Sequence, residues 1–270
     1  MKTGVWIVRS EAEEIGRYLA AELEAQCYVP GDTRQPTNRE MFAGRFREHR
    51  QWVLVMATGI AVRYLQGLPS DKQVDPGVVV LDEGCRFAIS LLSGHEGGAN
   101  KLAYRVANLT GAVPVITTAT ETLKPLVIGI GCRRGVSPEK INSAIECALA
   151  RAERSLSEVR EIATLDLKQD EPGLNEWCQQ SGIPLRVIAR EIVQHRPWVT
   201  ARSAWVQENV GVEGVCEPCA LLATFRGQLL LPKTRHEGVA VAIVEETPSA
   251  PKSHVIRIDT QVADYNEHHR

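Results

Sequence analysis

Apolar residues along this chain fall into two alternating patterns, which predict strands and helices in turn. Short apolar runs, typical of buried strands, occupy residues 5–8, 52–56, 78–81, 87–91, 113–117, 126–130, 161–165, 184–188, 229–231 and 239–244. Apolar residues at helical spacing predict helices over residues 11–27, 57–68, 100–109, 138–154, 174–180 and 189–195. Ser10 and Ser137 are the expected N-caps, and Gly111 is expected to end the helix before it.

Strands that alternate with helices indicate an α/β fold. We predict two domains, each a mostly parallel sheet flanked by helices, over residues 1–122 and 123–247, with a polar tail over 248–270. The boundary is placed where apolar periodicity is lost, near Leu123. Residues 30–40 are predicted to form a loop.

The carboxyl ends of parallel strands are where such sheets bind ligands. We therefore expect the loops at 57–60, 92–100 and 117–121 to lie together at one edge. One feature of the pattern is a short turn at Asp82-Glu83-Gly84, which joins the strands predicted at 78–81 and 87–91.

Composition excludes several classes of protein. The net charge is −2 and aromatic residues make up 5% of the chain, so the basic surface and stacking residues of nucleic-acid-binding proteins are absent. No run of about 18 apolar residues occurs, so we expect no membrane partner. Seven cysteines without framework spacing favour a reduced, cytoplasmic protein.

The most informative stretch is the glycine-rich segment from Ser93 to Asn100, between a predicted strand and a predicted helix. Glycines let the backbone approach a ligand closely, and the N–H groups of Gly94, Gly97 and Gly98 suit a carboxylate or a developing oxyanion. A histidine in such a loop, His95, is predicted to act as a general acid or base. The alternative is a surface histidine in a permissive turn.

Three other side chains of this segment have two interpretations each. Glu96 either orients the imidazole or is an exposed carboxylate at the start of a helix. Ser93 is a candidate nucleophile, but its surroundings do not form a G-x-S-x-G elbow, so helix capping or substrate binding competes. Asn100 either adds a donor or caps the helix.

Several motifs together resemble the CbiG family, the cobalt-precorrin-5A hydrolases of the oxygen-independent cobalamin pathway. In the first half they are the stretches at 57–63, 71–76, 91–100 and 114–120. In the second half they are the stretches at 129–135, 166–174 and 231–234. Their order and spacing look like the N-terminal and C-terminal domains of that family.

The resemblance implies an enzyme of anaerobic cobalamin (vitamin B12) biosynthesis, a hydrolase acting on a carbon–carbon bond. It would open the δ-lactone of cobalt-precorrin-5A and expel acetaldehyde to give cobalt-precorrin-5B. The partner is then a tetrapyrrole, and cobalt arrives within that substrate, so no cofactor and no protein-bound metal are expected. A homodimer and hand-off to other enzymes of the pathway are compatible with this function. The alternative is a non-catalytic carrier of the same intermediates. A nucleotide-binding protein is a weaker alternative, because the glycine motifs do not complete a nucleotide-binding fingerprint.

The resemblance also implies a set of substrate-binding residues, each of which has an ordinary structural alternative. These residues are Thr58, Gly59, Arg63, Lys72, Gly94, Gly97, Gly98, Asn100, Thr117, Thr118, Thr120, Arg133, Arg134, Lys168, Glu171 and Lys233. Scattered cations and hydroxyls of this kind suit a ligand with many carboxylates. Lys168 and Glu171 could instead pair with each other.

This chain departs from the family pattern in three places. A middle domain usually separates the two halves, yet here Thr120 is followed within a few residues by the strand that begins at Leu126. Glu121 replaces the usual aspartate. Cys216 and Cys219 flank Glu217 where the family pattern has small apolar residues. Their spacing is that of a redox or metal pair, but no second pair completes a zinc site, so we favour two buried thiols at a helix start.

Overall fold

The strands of this protein form two sheets in a computed structural model that describes residues 3–29, 31, 36–196 and 198–246. The first sheet contains β1 (Thr3–Ile7), β2 (Gln26–Tyr28), β3 (Gln51–Val55), β4 (Gly77–Leu81), β5 (Phe87–Leu92) and β6 (Val113–Val115). Its helices are α1 (Glu13–Glu22), α2 (Asn38–Arg45), α3 (Thr58–Leu65), α4 (Ala99–Thr110) and the short α5 (Ala119–Thr122).

The second sheet follows in the chain. Its strands are β7 (Leu126–Cys132), β8 (Val159–Leu165), β9 (Leu185–Ile188), β10 (Gln228–His236) and β11 (Val239–Glu245). Its helices are α6 (Pro138–Arg151), α7 (Pro172–Ser181), α8 (Arg190–His195), α9 (Ala204–Val210) and α10 (Cys216–Leu222). The predicted boundary near Leu123 falls between β6 and β7 and stays a prediction.

The first sheet has the strand order β2-β1-β3-β4-β5-β6, and its pairs are parallel except β4 with β5. Both of its faces are buried, because alternate residues of the strands face two different layers. Val53 and Val55 pack with α1 and α4, whereas Trp52 and Leu54 pack with α2 and α3. The strands are continuously apolar for this reason.

The antiparallel pair decides where the loops of the first sheet lie. Asp82 Oδ1 accepts hydrogen bonds from Arg86 N (2.8 Å) and Phe87 N (2.7 Å), which turns the chain back after β4. As a result β5 and β6 end where β3 and β4 begin. We call this the His95 edge of the first sheet. The opposite edge, where β1, β3 and β4 end, is the Thr58 edge.

The second sheet has the order β10-β11-β7-β8-β9, with β7, β8 and β9 parallel and β11 antiparallel to its neighbours. Helices α6 and α7 cover one face, and α8, α9 and α10 contribute to the other. The prediction of an α/β fold with two mostly parallel sheets flanked by helices is confirmed.

Helix α4 joins the two sheets. The Asn108 side chain donates to Leu185 O (2.8 Å) and accepts from Val187 N (2.9 Å), so it pairs with the exposed side of β9, the edge strand of the second sheet. Tyr104, on the same helix, is buried beside Glu161 of β8. The second sheet therefore meets the first along β9 and in the first half of β8.

The predicted helix over 11–27 is wrong at both ends. Residues 10–12 form a 3₁₀ turn, and the residue at the N-cap of α1 is Ala12 rather than Ser10. Glu24, with a φ of 51°, ends the helical segment, after which β2 pairs parallel to β1. The pairing of residues 26–28 with β1 decides their structure, although their apolar spacing is helical.

Other elements differ less. The loop predicted at 30–40 contains the start of α2, capped by a reciprocal pair between Thr37 and Glu40; residues 30 and 32–35 lie outside the described residues. Helix α9 was not predicted. Gly111 ends α4 with a φ of 76°, as expected. The tail at 248–270 is also outside the described part. Within that part no helix has the length and apolar character to cross a bilayer.

Candidate functional site

The glycine-rich segment forms a compact loop between β5 and α4. Gly97 N donates to Ser93 O (3.1 Å), Gly98 N to His95 O (3.2 Å) and Asn100 N to Gly94 O (3.0 Å). The N–H groups of Gly97 and Gly98 are therefore used inside the loop, and the expectation that they face an anion is wrong. For Gly94, no acceptor for the N–H group occurs among the described residues.

Glycine at position 97 is required by a close approach of two backbones. A Cβ added to Gly97 would lie 2.5 Å from Gly77 N and 2.6 Å from Ser93 Cβ. Gln51 Nε2 donates to the carbonyls of Gly97 (3.1 Å) and Gly98 (3.2 Å). The loop is thus packed on the first residues of β3 and β4.

His95 lies on the outside of this loop with an exposed side chain. Its Nε2 is 2.7 Å from Thr120 Oγ1. Asn100 links the same two segments, because its Nδ2 donates to Thr118 Oγ1 (3.1 Å) while its Oδ1 accepts from Ser90 Oγ (2.7 Å). The structure therefore brings the 93–100 and 117–121 segments together, as expected. The Asn100 side chain is used in the bonds that link these two segments. Thr117 lies next to them in the chain and is exposed.

Glu96 does not orient the imidazole. Its Oε1 lies 3.6 Å from Lys72 Nζ, and its own backbone N–H together with Lys72 lowers the pKa of the Glu96 carboxyl. The imidazole of His95 contacts the hydroxyl of Thr120 instead. Through this contact with Glu96, Lys72 lies at the His95 edge, and its role in substrate binding stays a prediction.

Ser93 has an unusual environment for a nucleophile. Its φ is 51°, and its Oγ is buried with no hydrogen-bond partner among the described residues. No basic group of the described residues is hydrogen-bonded to the Ser93 hydroxyl, so the structure does not support its interpretation as a nucleophile. Nor does Ser93 cap α4, since the N-cap residue is Gly98; the backbone carbonyl of Ser93 accepts from Ala99 N (3.3 Å) instead.

A cleft of about 260 Å³ opens beside the loop. Side chains that the sequence analysis did not select line it, among them Arg47, His49 and Arg50. The only signal in the sequence was a concentration of basic residues just before β3. Nothing in the pattern of that segment places it next to a loop some fifty residues later, because β5 reaches this edge only through the β4–β5 hairpin.

Asp75 holds one wall of the cleft in place. This carboxylate is buried and accepts from Ser70 N (2.7 Å), Asp71 N (2.9 Å) and Arg47 Nη2 (3.1 Å). These bonds fold residues 70–75 into a fixed loop, which carries Lys72 to the His95 edge.

Thr58, Gly59 and Arg63 lie at the other edge. They follow β3, whereas the glycine-rich loop packs on the beginning of β3, so the five-residue strand separates them by roughly 16 Å. Arg63 Nη1 donates to Gly59 O (3.2 Å) within α3. The expectation that three loops share one edge is wrong, because the antiparallel β4–β5 pair reverses the direction of β5.

The predicted residues of the second sheet form their own groups. Glu171 is buried and accepts from Gly135 N (2.6 Å) and Lys168 Nζ (3.1 Å), so Lys168 and Glu171 pair with each other. Lys233 Nζ donates to Ala201 O (2.6 Å).

Arg133 and Arg134 are exposed at the carboxyl end of β7, without an ion-pair partner among the described residues. The first sheet contacts β9 and the first half of β8, whereas these arginines follow the last residue of β7, a strand of roughly 20 Å. The structure therefore does not bring these arginines to His95.

Cys216 and Cys219 are the first and fourth residues of α10, and both are buried. Burial, with the charge of Glu217 beside it, raises the pKa of the Cys216 thiol to about 12. Gly129 of β7 allows the backbone of Cys216 to lie directly against the strand. The interpretation of two buried thiols at a helix start is confirmed.

Two family models match this chain. The model described as cobalamin synthesis G N-terminal matches residues 40–121, and the model described as cobalamin synthesis G C-terminus matches residues 126–244. Four residues therefore separate the two matches.

Curated relatives match across both halves. The cobalt-precorrin-5A hydrolase of Salmonella typhimurium is 25% identical and covers 85% of this chain and 93% of its own length. The cobalt-precorrin-5A hydrolase of Priestia megaterium is 24% identical and covers 77% of this chain and 84% of its own. The alignment with the Salmonella protein extends over 328 residues, more than the 270 of this chain, so that relative has additional residues opposite a gap.

A solved structure matches one part of the chain. The crystal structure of CobE, a protein from the cobalamin biosynthetic pathway, is 31% identical and covers 45% of this chain and 89% of CobE, with a TM-score of 0.42.

Proposed function

This chain belongs to the CbiG family of cobalamin synthesis proteins, and from that premise we propose that it is a cobalt-precorrin-5A hydrolase. The reaction opens the δ-lactone of cobalt-precorrin-5A, releases acetaldehyde and leaves cobalt-precorrin-5B. The names of the aligned relatives support the substrate. One observation carries the catalytic proposal: the exposed imidazole of His95 contacts Thr120 through Nε2. The loop that contains His95 is packed tightly against β4.

Nδ1 of His95 is the atom that we assign to proton transfer. When Nε2–H donates to Thr120 Oγ1, Nδ1 carries the lone pair and accepts a proton from water as that water attacks the lactone carbonyl. The new C–O bond forms as the ring C–O bond breaks, which leaves a carboxylate and a hydroxyl group. His95 returns its proton to the departing oxygen.

The second step breaks a carbon–carbon bond. The new hydroxyl group loses its proton, its carbon becomes the carbonyl carbon of acetaldehyde, and the electron pair of the broken bond passes to the macrocycle, which takes up a proton. One imidazole serves both steps as it alternates between base and acid. The cobalt ion belongs to the substrate in this scheme, and no further metal or cofactor is invoked.

Both steps are assigned to the His95 edge alone. Thr118 and Thr120 lie there with the N–H group of Gly94, which can bind an oxyanion or a substrate carboxylate. All seven cysteines are free thiols, in keeping with a reduced cytoplasmic setting, which we propose as the place of the reaction. The residues that the Salmonella relative has opposite a gap in this chain take no part in this scheme.

The carrier of tetrapyrrole intermediates is the second candidate, because an exposed loop next to a cationic cleft could also serve binding alone. An anaerobic assay of acetaldehyde release from cobalt-precorrin-5A separates the two. We expect turnover by the wild type and a loss of about 100-fold or more in His95→Ala, with substrate binding retained. Binding without any release by the wild type would establish the carrier instead.

A further inference from the structure

The cleft beside the glycine-rich loop has a charge balance of its own. Its walls come from Arg47, His49 and Arg50 ahead of β3, residues 73–76 ahead of β4, and Glu96 with Gly97. Two carboxylates and two guanidinium groups contribute to this lining, and Lys72 stands at the rim through its contact with Glu96. What the cleft attracts depends on which of these charges are already matched.

Two positive charges are matched within the protein. Arg47 pairs with the buried Asp75 at 3.1 Å and also donates to Ser70 Oγ (2.9 Å), so it is fixed in place. Lys72 and Glu96 face each other at 3.6 Å. Each pair is neutral as a unit.

Arg50 is the unmatched charge. Its carbonyl accepts from Gly77 N (3.0 Å), which fixes the backbone at the start of β3. Its side chain is exposed and lines the cleft, and its guanidinium has no ion-pair partner within the part of the chain that the structure describes. The cleft therefore carries one excess positive charge. It lies on the Arg50 guanidinium, a planar group that can donate two parallel hydrogen bonds to a carboxylate.

We propose that this cleft binds a single carboxylate arm of the substrate, with Arg50 as its main ligand and the fixed guanidinium of Arg47 beside it. Its volume of about 260 Å³ is below the range of ~300–1,000 Å³ usual for a site that encloses a whole ligand, so it suits an arm and not the macrocycle. The identity of the macrocycle rests on the proposed function; the binding of a carboxylate does not.

The position of the cleft gives the arm a role in specificity. Glu96 and Gly97 line the cleft and directly follow His95 in the chain. A carboxylate held by Arg50 therefore places the rest of the molecule against the loop that presents His95. Tetrapyrroles whose arms lack a carboxylate at that position would bind without this anchor.

Uroporphyrin III, a porphyrin that carries a carboxylate on every peripheral arm, is a stable probe for the binding step. Fluorescence titrations would compare the wild type with Arg50→Gln and with Arg235→Gln, a matched change of an exposed arginine on β10. We expect a Kd about tenfold higher for Arg50→Gln only, with the difference shrinking in high salt. Equal Kd values for the three proteins, or no binding by the wild type, would overturn the proposal.

Turnover gives an independent measurement. In the acetaldehyde assay Arg50→Gln should raise KM about tenfold and leave kcat within about twofold, because the arm is bound equally in the ground state and the transition state. A fall in kcat at unchanged KM would contradict the anchoring role. If the wild type released no acetaldehyde, the proposed function would fail, while the porphyrin titration would still decide whether the cleft binds carboxylates.

Discussion

His95 Nε2 lies 2.7 Å from Thr120 Oγ1, although the two residues are 25 positions apart in the chain. The contact exists because β5 and β6 run parallel and end at the same edge of the first sheet. It commits Nε2 of His95 to this contact, so the proton transfer proposed above is assigned to Nδ1.

The hydroxyl group of Thr120 should therefore be needed for the full rate of acetaldehyde release. We expect Thr120→Val to lower kcat for acetaldehyde release about tenfold, because the imidazole loses the bond that sets its orientation and tautomer. Thr120→Ser keeps the hydroxyl and should restore most of the rate. Thr110→Val is the matched control, because that hydroxyl donates to Val106 O (2.8 Å) at the opposite end of α4, and it should stay within about twofold of the wild type. Equal losses in the valine and serine variants would contradict the assignment.

Gly97 should be intolerant of any side chain. In Gly97→Ala the new Cβ would meet Gly77 N at 2.5 Å, and the loop would have to move away from β4. We expect a loss of about 2 kcal/mol in the free energy of unfolding, measured with urea. Gly44→Ala in α2 is the control, because nothing lies within 4 Å of its added Cβ, and it should gain about 0.5 kcal/mol. Similar effects at both positions would show that the close approach is not important.

Asn108 should contribute to stability across the junction of the two sheets. Asn108→Ala leaves Leu185 O and Val187 N without their side-chain partner, at an expected cost of about 2 kcal/mol in urea unfolding. The Val187 amide should also exchange faster with deuterium. Asn175→Ala removes one exposed bond to Gln169 O and should cost about 0.5 kcal/mol or less. Unchanged exchange at Val187 in Asn108→Ala would contradict this role.

The thiol of Cys216 should make the protein sensitive to alkali. Its pKa is raised by burial from the ordinary value of 9.0 to about 12. Above pH 9 the unfolded chain therefore loses this proton first, so its contribution to stability is present below that pH and is lost as the pH rises toward 12. Between pH 8 and pH 10 the wild type should lose about 1 kcal/mol more than Cys216→Ala.

Thiol labelling offers a second check of the same feature. The exposed Cys147 should react with a disulfide reagent at pH 8 in the native protein, whereas Cys216 and Cys219 should react only after unfolding. Rapid labelling of either buried thiol under native conditions would contradict their burial.

Local pattern predicted most of the elements in this protein, because side-chain periodicity and glycine caps act over a few residues. The runs at 78–81 and 126–130 are strands, and Gly111 ends its helix with a positive φ. The motifs were also sufficient to assign the family. These features depend on neighbours in the chain, which the sequence contains directly.

The composition of the site depended on which strands pair and in which direction. The turn at Asp82 was visible in the sequence, and a connection so short permits only an antiparallel pair. That one reversal moves the glycine-rich loop away from Thr58 and onto the first residues of β3 and β4. It also makes Arg50 a neighbour of Gly97 and Thr120 the partner of His95. Such contacts join distant parts of the chain, so only the assembled sheet determines them.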